Sequence, residues 1–150
     1  MQLTEAQVAE LVELARSRGE QPDLSRRDLS KLGFYRADLS GVNFNQADLS
    51  GANFSRARLY QANLFDADLS GASLFGADLR EVDLRRSNLF GAGLGKADLR
   101  GADLRGASLA GADVNHADLT GADLRGATYS RKTRWSVDFD PDQAGAVMRN

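Results

Sequence analysis

Cysteine is absent from this 150-residue chain, and its absence excludes a disulfide framework and any thiolate metal site. Histidine occurs once, at His116, tryptophan once and proline twice. Neither sign of charge dominates: 21 Asp and Glu face 19 Lys and Arg, a formal net charge of −2, with both signs mixed along the chain. That balance gives no global footprint for nucleic acid. No apolar run approaches the ~20 residues that a membrane-spanning helix needs. The opening residues alternate charged with apolar side chains and hold no signal-peptide core. The expectation is a soluble cytoplasmic protein without a membrane partner.

What the chain does have is a period of five. From Pro22 to Arg131 it reads as 22 quintets in one register, for example Ala67-Asp68-Leu69-Ser70-Gly71 and Ala102-Asp103-Leu104-Arg105-Gly106. Leu fills 17 of the 22 quintet centres, with Phe34, Phe44, Phe54, Val114 and Tyr129 at the others. Ala stands two positions before the centre 16 times. Between these two sits Asp 12 times or Asn four times.

Period five suits neither regular element. On an α-helix, five steps of about 100° put successive leucines about 140° apart and smear them around every face. On a continuous strand, an odd spacing throws alternate leucines to opposite sides. A common core forms if each quintet is one short extended side followed by one corner, with the centre and the residue two before it inward and the Asp or Asn outward. Gly stands two positions after the centre ten times, where a type II turn needs positive φ. The quintets with Arg56, Gln61, Glu81 or Arg86 there are expected to turn another way. Outward arginines recur at twenty (Arg85, Arg105 and Arg125; Arg80 and Arg100), which favours four sides per coil, whereas Ser30, Ser50 and Ser70 and the phenylalanines fit a repeat of ten as well.

The tandem Ala-(Asp/Asn)-Leu-x-x pattern resembles the pentapeptide-repeat family over 110 of the 150 residues. The resemblance implies an all-β fold, a right-handed quadrilateral β-helix of four quintets per coil, here 5.5 coils. At about 4.8 Å between neighbouring strands the rod would be roughly 26 Å long.

Residues 1–21 read as an N-terminal cap, 22–131 as the β-helix and 132–150 as a C-terminal cap. Thr4 and Gln7 have capping-box spacing, with Leu3 and Val8 as a hydrophobic staple. Val8, Leu11, Val12 and Ala15 mark one face of a helix over about residues 5–18 that Gly19 ends. At the other end Trp135, Val137 and Phe139 are expected to plug the last coil, and Asp140-Pro141 to open a short helix carrying Val147 and Met148. If one apolar end is left bare instead, the product is an end-to-end homodimer rather than a monomer.

Chemistry is hard to find in this pattern. His116 falls at a predicted corner with no oriented partner. The aspartates, spaced by five, match neither a twelve-residue calcium loop nor a calcium-binding nonapeptide. No phosphate loop or nucleophile elbow is present. The expectation is therefore no enzyme, no catalytic, cofactor or metal residues, and no cofactor. Tyr35, Tyr60, Phe65, Phe75 and Phe90 follow core positions and are expected outside, on different sides of the rod.

The leading functional reading is a non-catalytic scaffold binding an unidentified protein partner, with Arg85, Arg105 and Arg125 as the candidate interaction face. The resemblance also implies an alternative: the family's gyrase-directed branch, DNA mimics that confer quinolone resistance. Ten Lys or Arg within residues 80–134, against eight acids between Asp78 and Asp123, interrupt the acidic surface such a mimic needs. Direct nucleic-acid binding through the arginines, and ice or mineral binding through Ser30, Ser50 and Ser70, are not expected.

Overall fold

The computed structural model describes residues 1–150. One helix, α1 (Glu5–Ser17), is followed by short extended segments, each joined by a parallel bridge to the segment twenty residues on. Asp23 bridges Asn43, Asp28 bridges Asp48, Gly33 bridges Asn53 and Asp38 bridges Arg58, and the ladder climbs without a slip to Ser108 with Thr128. Four sides therefore make one coil. We number them from the centres of the lowest coil: Leu24 begins the first side, Leu29 the second, Phe34 the third and Leu39 the fourth.

The quintet consensus follows from where its five backbone N–H groups go. In Ala67–Gly71, the Ala67 N–H closes a turn to the Leu64 carbonyl at 3.2 Å. Asp68 donates to Ala47 in the coil before, at 3.0 Å, and Leu69 to Asn88 in the coil after, at 2.8 Å. Gly71 also donates to the coil after, to Phe90 at 2.8 Å. The Ser70 N–H points outward, away from both coils, and donates to the Asp68 carboxylate at 2.9 Å. A side chain two residues back is thus the fifth acceptor, an Asx turn.

All sixteen Asp or Asn residues at the middle position make this bond. An unpaired backbone donor is costly where water cannot reach it, so four of the five bonds fix the coil and the side chain settles the last.

Inside, the leucine and phenylalanine centres stack with the alanines into one cluster of 39 buried residues. Leu24, Leu69 and Leu79 are fully buried. Phe34 and Phe54 stack with ring centroids 5.0 Å apart, and Phe44 meets Phe54 edge-on at 6.2 Å.

The corners differ from expectation. Arg56, Gln61, Glu81 and Arg86 turn as the glycines do, with φ of 59°, 58°, 54° and 59°. The inter-coil bond from each corner N–H, such as Arg56 to Phe75 at 2.8 Å, imposes this backbone whatever the side chain. These corners accept the left-handed cost to keep the ladder continuous.

α1 forms as its sequence directs. The Thr4–Gln7 capping box is present, and Glu20 to Ala15 (2.9 Å) and Gly19 to Arg16 (3.0 Å) close the C-terminus as a Schellman motif. Val8 and Val12 are buried on the first coil, whereas Leu11 is 37% exposed and lies outside the apolar contact expected of it. The Glu5 carboxylate accepts the Gly33 N–H at 2.8 Å, and Arg16 donates to the Ser40 carbonyl at 3.0 Å. The helix thereby supplies partners that no preceding coil exists to give.

No C-terminal helix forms. Asp140 caps a single turn, accepting from Asp142 and Gln143 at 3.0 and 3.2 Å, and Gly145 at φ 91° ends it. The chain then extends: β1 (Thr128–Tyr129) pairs in parallel with β2 (Val147–Met148). Two edge bonds, Val147 to Ala127 and Arg149 to Tyr129, both 2.7 Å, outweigh a helix of a few residues that would carry the full cost of nucleation.

Before β2, Arg134 bridges Asp113 at an offset of 21, so the chain wraps once more with one residue inserted. Trp135 and Phe139 stack at 5.1 Å over this end and Tyr129 meets Trp135 at 5.5 Å, but Val137 is 99% exposed and plugs nothing. No helix is long and apolar enough to cross a membrane.

Candidate interaction surfaces

The outer faces inherit the spacing of the coil. On the first side Arg85, Arg105 and Arg125 stack in one column, each beside an aspartate of the same segment. Arg85 chelates Asp83 through Nε and Nη2 at 2.9 and 2.8 Å, Arg105 chelates Asp103 at 2.9 and 2.6 Å, and Arg125 chelates Asp123 at 2.9 and 2.6 Å. Each of the lower two also faces the aspartate one coil up, with Arg85 Nε 3.8 Å from Asp103 and Arg105 Nε 3.7 Å from Asp123. Arg80 and Arg100 repeat the arrangement on the fourth side.

The effect reaches the carboxylates. The Arg125 guanidinium, then its backbone N–H, holds Asp123 down at about 2. The guanidinium hydrogen bonds of Arg105 and Arg100 lower Asp103 and Asp98 in the same way. These columns are rigid lattices of paired charge rather than strips of free cation. Arg80 and Arg85 also lie over the rings of Tyr60 and Phe65 from the coil below, both at 5.1 Å, and cover two of the aromatics.

The other sequence candidates are dispersed. Ser30 and Ser50 turn their hydroxyls to Asp28 and Asp48 at 2.7 and 2.6 Å. His116 is an exposed corner with φ 64° whose backbone N–H donates to Ser136. It lines an open cleft of about 560 Å3 with Leu119, Asp138 and Phe139, above the one stretch of coil that the C-terminal segment leaves uncovered. No group of three or more His, Asp or Glu converges as a metal site.

Sequence reasoning missed a second set of cations. Arg36, Arg56, Lys96 and His116 occupy successive levels of the corner between the third and fourth sides, with Gly76 at the level between Arg56 and Lys96. Arg58 lies just beyond, on the fourth side. None of Arg36, Arg56, Arg58 or Lys96 forms an ion pair. The signal was the same twenty-residue recurrence, hidden because three residue types share the column.

The coil of twenty, with sixteen Asx-closed quintets, gives a physical meaning to the sequence match. The family described as pentapeptide repeats matches residues 34–71, 67–106 and 87–126, with eight copies. The chain belongs to the pentapeptide-repeat family. Among solved structures, this pentapeptide-repeat protein is similar to one from Nostoc PCC 7120, 32% identical over 95% of both chains, with a TM-score of 0.44.

It is also similar to one from the cyanobacterium Cyanothece 51142, 36% identical over 64% of this chain and 65% of that one, with a TM-score of 0.44. The chain therefore spans less than two thirds of the Cyanothece protein. A plasmid-mediated fluoroquinolone resistance protein matches 85% of this chain and 80% of its own at 20% identity, with a TM-score of 0.51, a likeness of fold. No curated protein matches.

Proposed function

We propose that this pentapeptide-repeat rod, a right-handed four-sided coil, is a non-catalytic scaffold that binds another protein. One observation carries the reading: 39 buried side chains fill the axis, so chemical variety is confined to outer columns held at coil spacing. A rigid surface of this kind needs no ordering on binding, which lowers the entropic cost of association. Arg85, Arg105 and Arg125 are one surface offered to a partner, as locked guanidinium plates 42%, 45% and 71% exposed.

The test is crosslinking in the native cell, comparing the wild type with the combined variant Arg85→Ser, Arg105→Ser and Arg125→Ser. Loss of a reproducible partner supports that column, and unchanged recovery removes it. If no partner depends on any outer column, the scaffold reading falls.

The alternative, a DNA mimic acting on gyrase, is less favoured. Its surface would need runs of unpaired acid, whereas Asp83, Asp103 and Asp123 are each chelated by arginine. Inhibition of gyrase supercoiling by the purified protein would reverse that preference.

A further inference from the structure

We propose that the edge between the third and fourth sides binds an acidic, extended segment of a partner protein, with one carboxylate seated in the recess over Gly93 and Gly95. This rests on the scaffold reading and names the chemistry of its partner. The first observation is unbalanced charge. Arg36, Arg56 and Lys96 project from one corner, and Arg58 stands beside them between Asp38 and Asp78. Those two acids are already engaged, Asp38 3.8 Å from Arg16 and Asp78 2.8 Å from Arg80. The Arg56 stem leans across the bare Gly76 corner, its Cγ 3.5 Å from where a Cβ would stand, and so carries its charge toward Lys96.

The second observation is a set of vacant donors beside those cations. Where the middle residue is not Asp or Asn, the outward N–H two residues later loses its Asx acceptor, and only Ser130, behind Thr128, finds another, the Thr133 hydroxyl at 3.0 Å. That leaves the N–H groups of Tyr35, Tyr60, Phe75, Gly95 and Ala110 without a protein partner. Three of the five lie on the third side, behind Gly33, Ser73 and Gly93, and Tyr60 lies behind Arg58. At Gly93 the missing side chain opens a recess of about 190 Å3, walled by Phe75, Lys96, Asp113, Asn115 and His116.

A Cβ at Gly93 would meet nothing within 4 Å. A guest carboxylate there takes the place an aspartate fills in the other quintets: it accepts the Gly95 N–H and faces the Lys96 ammonium, which rests 5.9 Å from the Phe75 ring centroid. The one carboxylate in the wall, Asp113, is bonded to the Asn115 N–H at 3.0 Å and lies 3.8 Å from Arg134.

Shape chooses the partner class. From Arg36 to His116 is four coil steps, about 19 Å, which an extended chain covers in about six residues. The basic strip is one corner wide. A nucleic-acid duplex laid along it would overhang onto the fourth side, where Arg80 and Arg100 are already paired with Asp78 and Asp98 and leave its phosphates no free cation beyond Arg58. An extended peptide fits within the strip.

The experiment is fluorescence anisotropy of a labelled octa-aspartate peptide against the full chain, with amide NMR to locate it. Expected are binding that weakens with salt and shifts concentrated at Gly95 and Lys96. The combined variant Arg36→Gln, Arg56→Gln, Arg58→Gln and Lys96→Gln should weaken binding at least about tenfold. The variant Arg18→Gln, Lys31→Gln, Arg131→Gln and Lys132→Gln, which removes four exposed cations elsewhere, should bind as the wild type does. Gly93→Asp, which supplies the recess with its own acceptor, should weaken binding several-fold while melting no lower than the wild type.

Unshifted Gly95 and Lys96 amides overturn the proposal, as does equal loss in the two combined variants. Tighter binding of a 20-base-pair duplex than of the peptide overturns it in favour of nucleic acid. If the edge fails while crosslinked partners still depend on another column, the scaffold reading stands alone. If peptide binds at the edge and no cellular partner depends on any column, the scaffold reading falls and the carboxylate site remains.

Discussion

Glu81 and Gly101 stand at the same corner one coil apart and share one backbone, with φ of 54° and 70°. Gln61, one coil below, matches them at 58°. The left-handed conformation costs an L-residue roughly 1–2 kcal/mol, partly offset by the greater freedom glycine has when unfolded. Gln61→Gly should therefore stabilise the rod by roughly 0.5–1 kcal/mol and Gly101→Ala should destabilise it by a similar amount. Urea unfolding of the pair decides; a destabilised Gln61→Gly would show that the corner is not strained.

That corner marks where sequence reading stopped. Leucine and glycine recurrences led to the five-residue side and corner because both report local demands, burial and positive φ, and the outward arginines at intervals of twenty pointed to four sides. Arg56 and Glu81 report nothing about φ, since their backbone is set by inter-coil bonds. Asp140-Pro141 carries the same signal for one turn as for a helix, and the decision fell to bonds with Ala127 and Tyr129, distant in sequence. The Asx bond was legible but unread: the middle position takes Asp or Asn in 16 of the 22 quintets and never Glu or Gln. Only the shorter side chains reach their own backbone two residues on. The charged columns were visible as twenty-residue recurrences, but which cations were free depended on pairing, so the Arg85 column stood out and the Arg36 column did not.

The Asx bond predicts an asymmetry between two small changes. Asp48 accepts the Ser50 N–H at 3.0 Å and its hydroxyl at 2.6 Å. Asp48→Asn keeps an acceptor in place and should leave stability nearly unchanged. Asp48→Ala should cost about 0.5–1.5 kcal/mol, the net worth of a typical hydrogen bond. Equal losses in chemical denaturation would assign the effect to charge instead.

The axis predicts a larger loss. Leu79 is fully buried between levels of leucine, and truncation leaves a cavity that stacked coils cannot collapse to fill. Leu79→Ala should cost about 2–5 kcal/mol in urea titration. A change near zero would be incompatible with a dry axis.

Acid should open the lattice of paired charge. Asp123 lies at about 2, held there first by the Arg125 guanidinium, and Asp78, Asp98 and Asp103 are also lowered, by Arg80, Arg100 and Arg105. A carboxylate lowered on folding contributes stability above its unfolded value, near 3.9, and loses it as pH falls through the folded value. Stability should hold level down to about pH 4 and then decline toward about pH 2. The urea midpoint measured across this range tests the claim, and a flat profile below pH 4 would mean the pairs contribute nothing.

The C-terminal strand predicts a change in association as well as in stability. Val147 is 44% exposed, so its side chain contributes little burial, but its N–H donates to the Ala127 carbonyl at 2.7 Å and holds β2 on β1. Val147→Pro removes the donor and should release β2, at a cost of about 1–3 kcal/mol. The freed edge at Thr128 and Tyr129 would then be open to pairing between molecules. Val147→Thr keeps the N–H and a β-branched side chain and should behave as the wild type. Sedimentation velocity over a range of concentrations should show self-association for Val147→Pro and none for Val147→Thr. If the proline variant melts and sediments like the wild type, the C-terminal segment does not cover the coil edge.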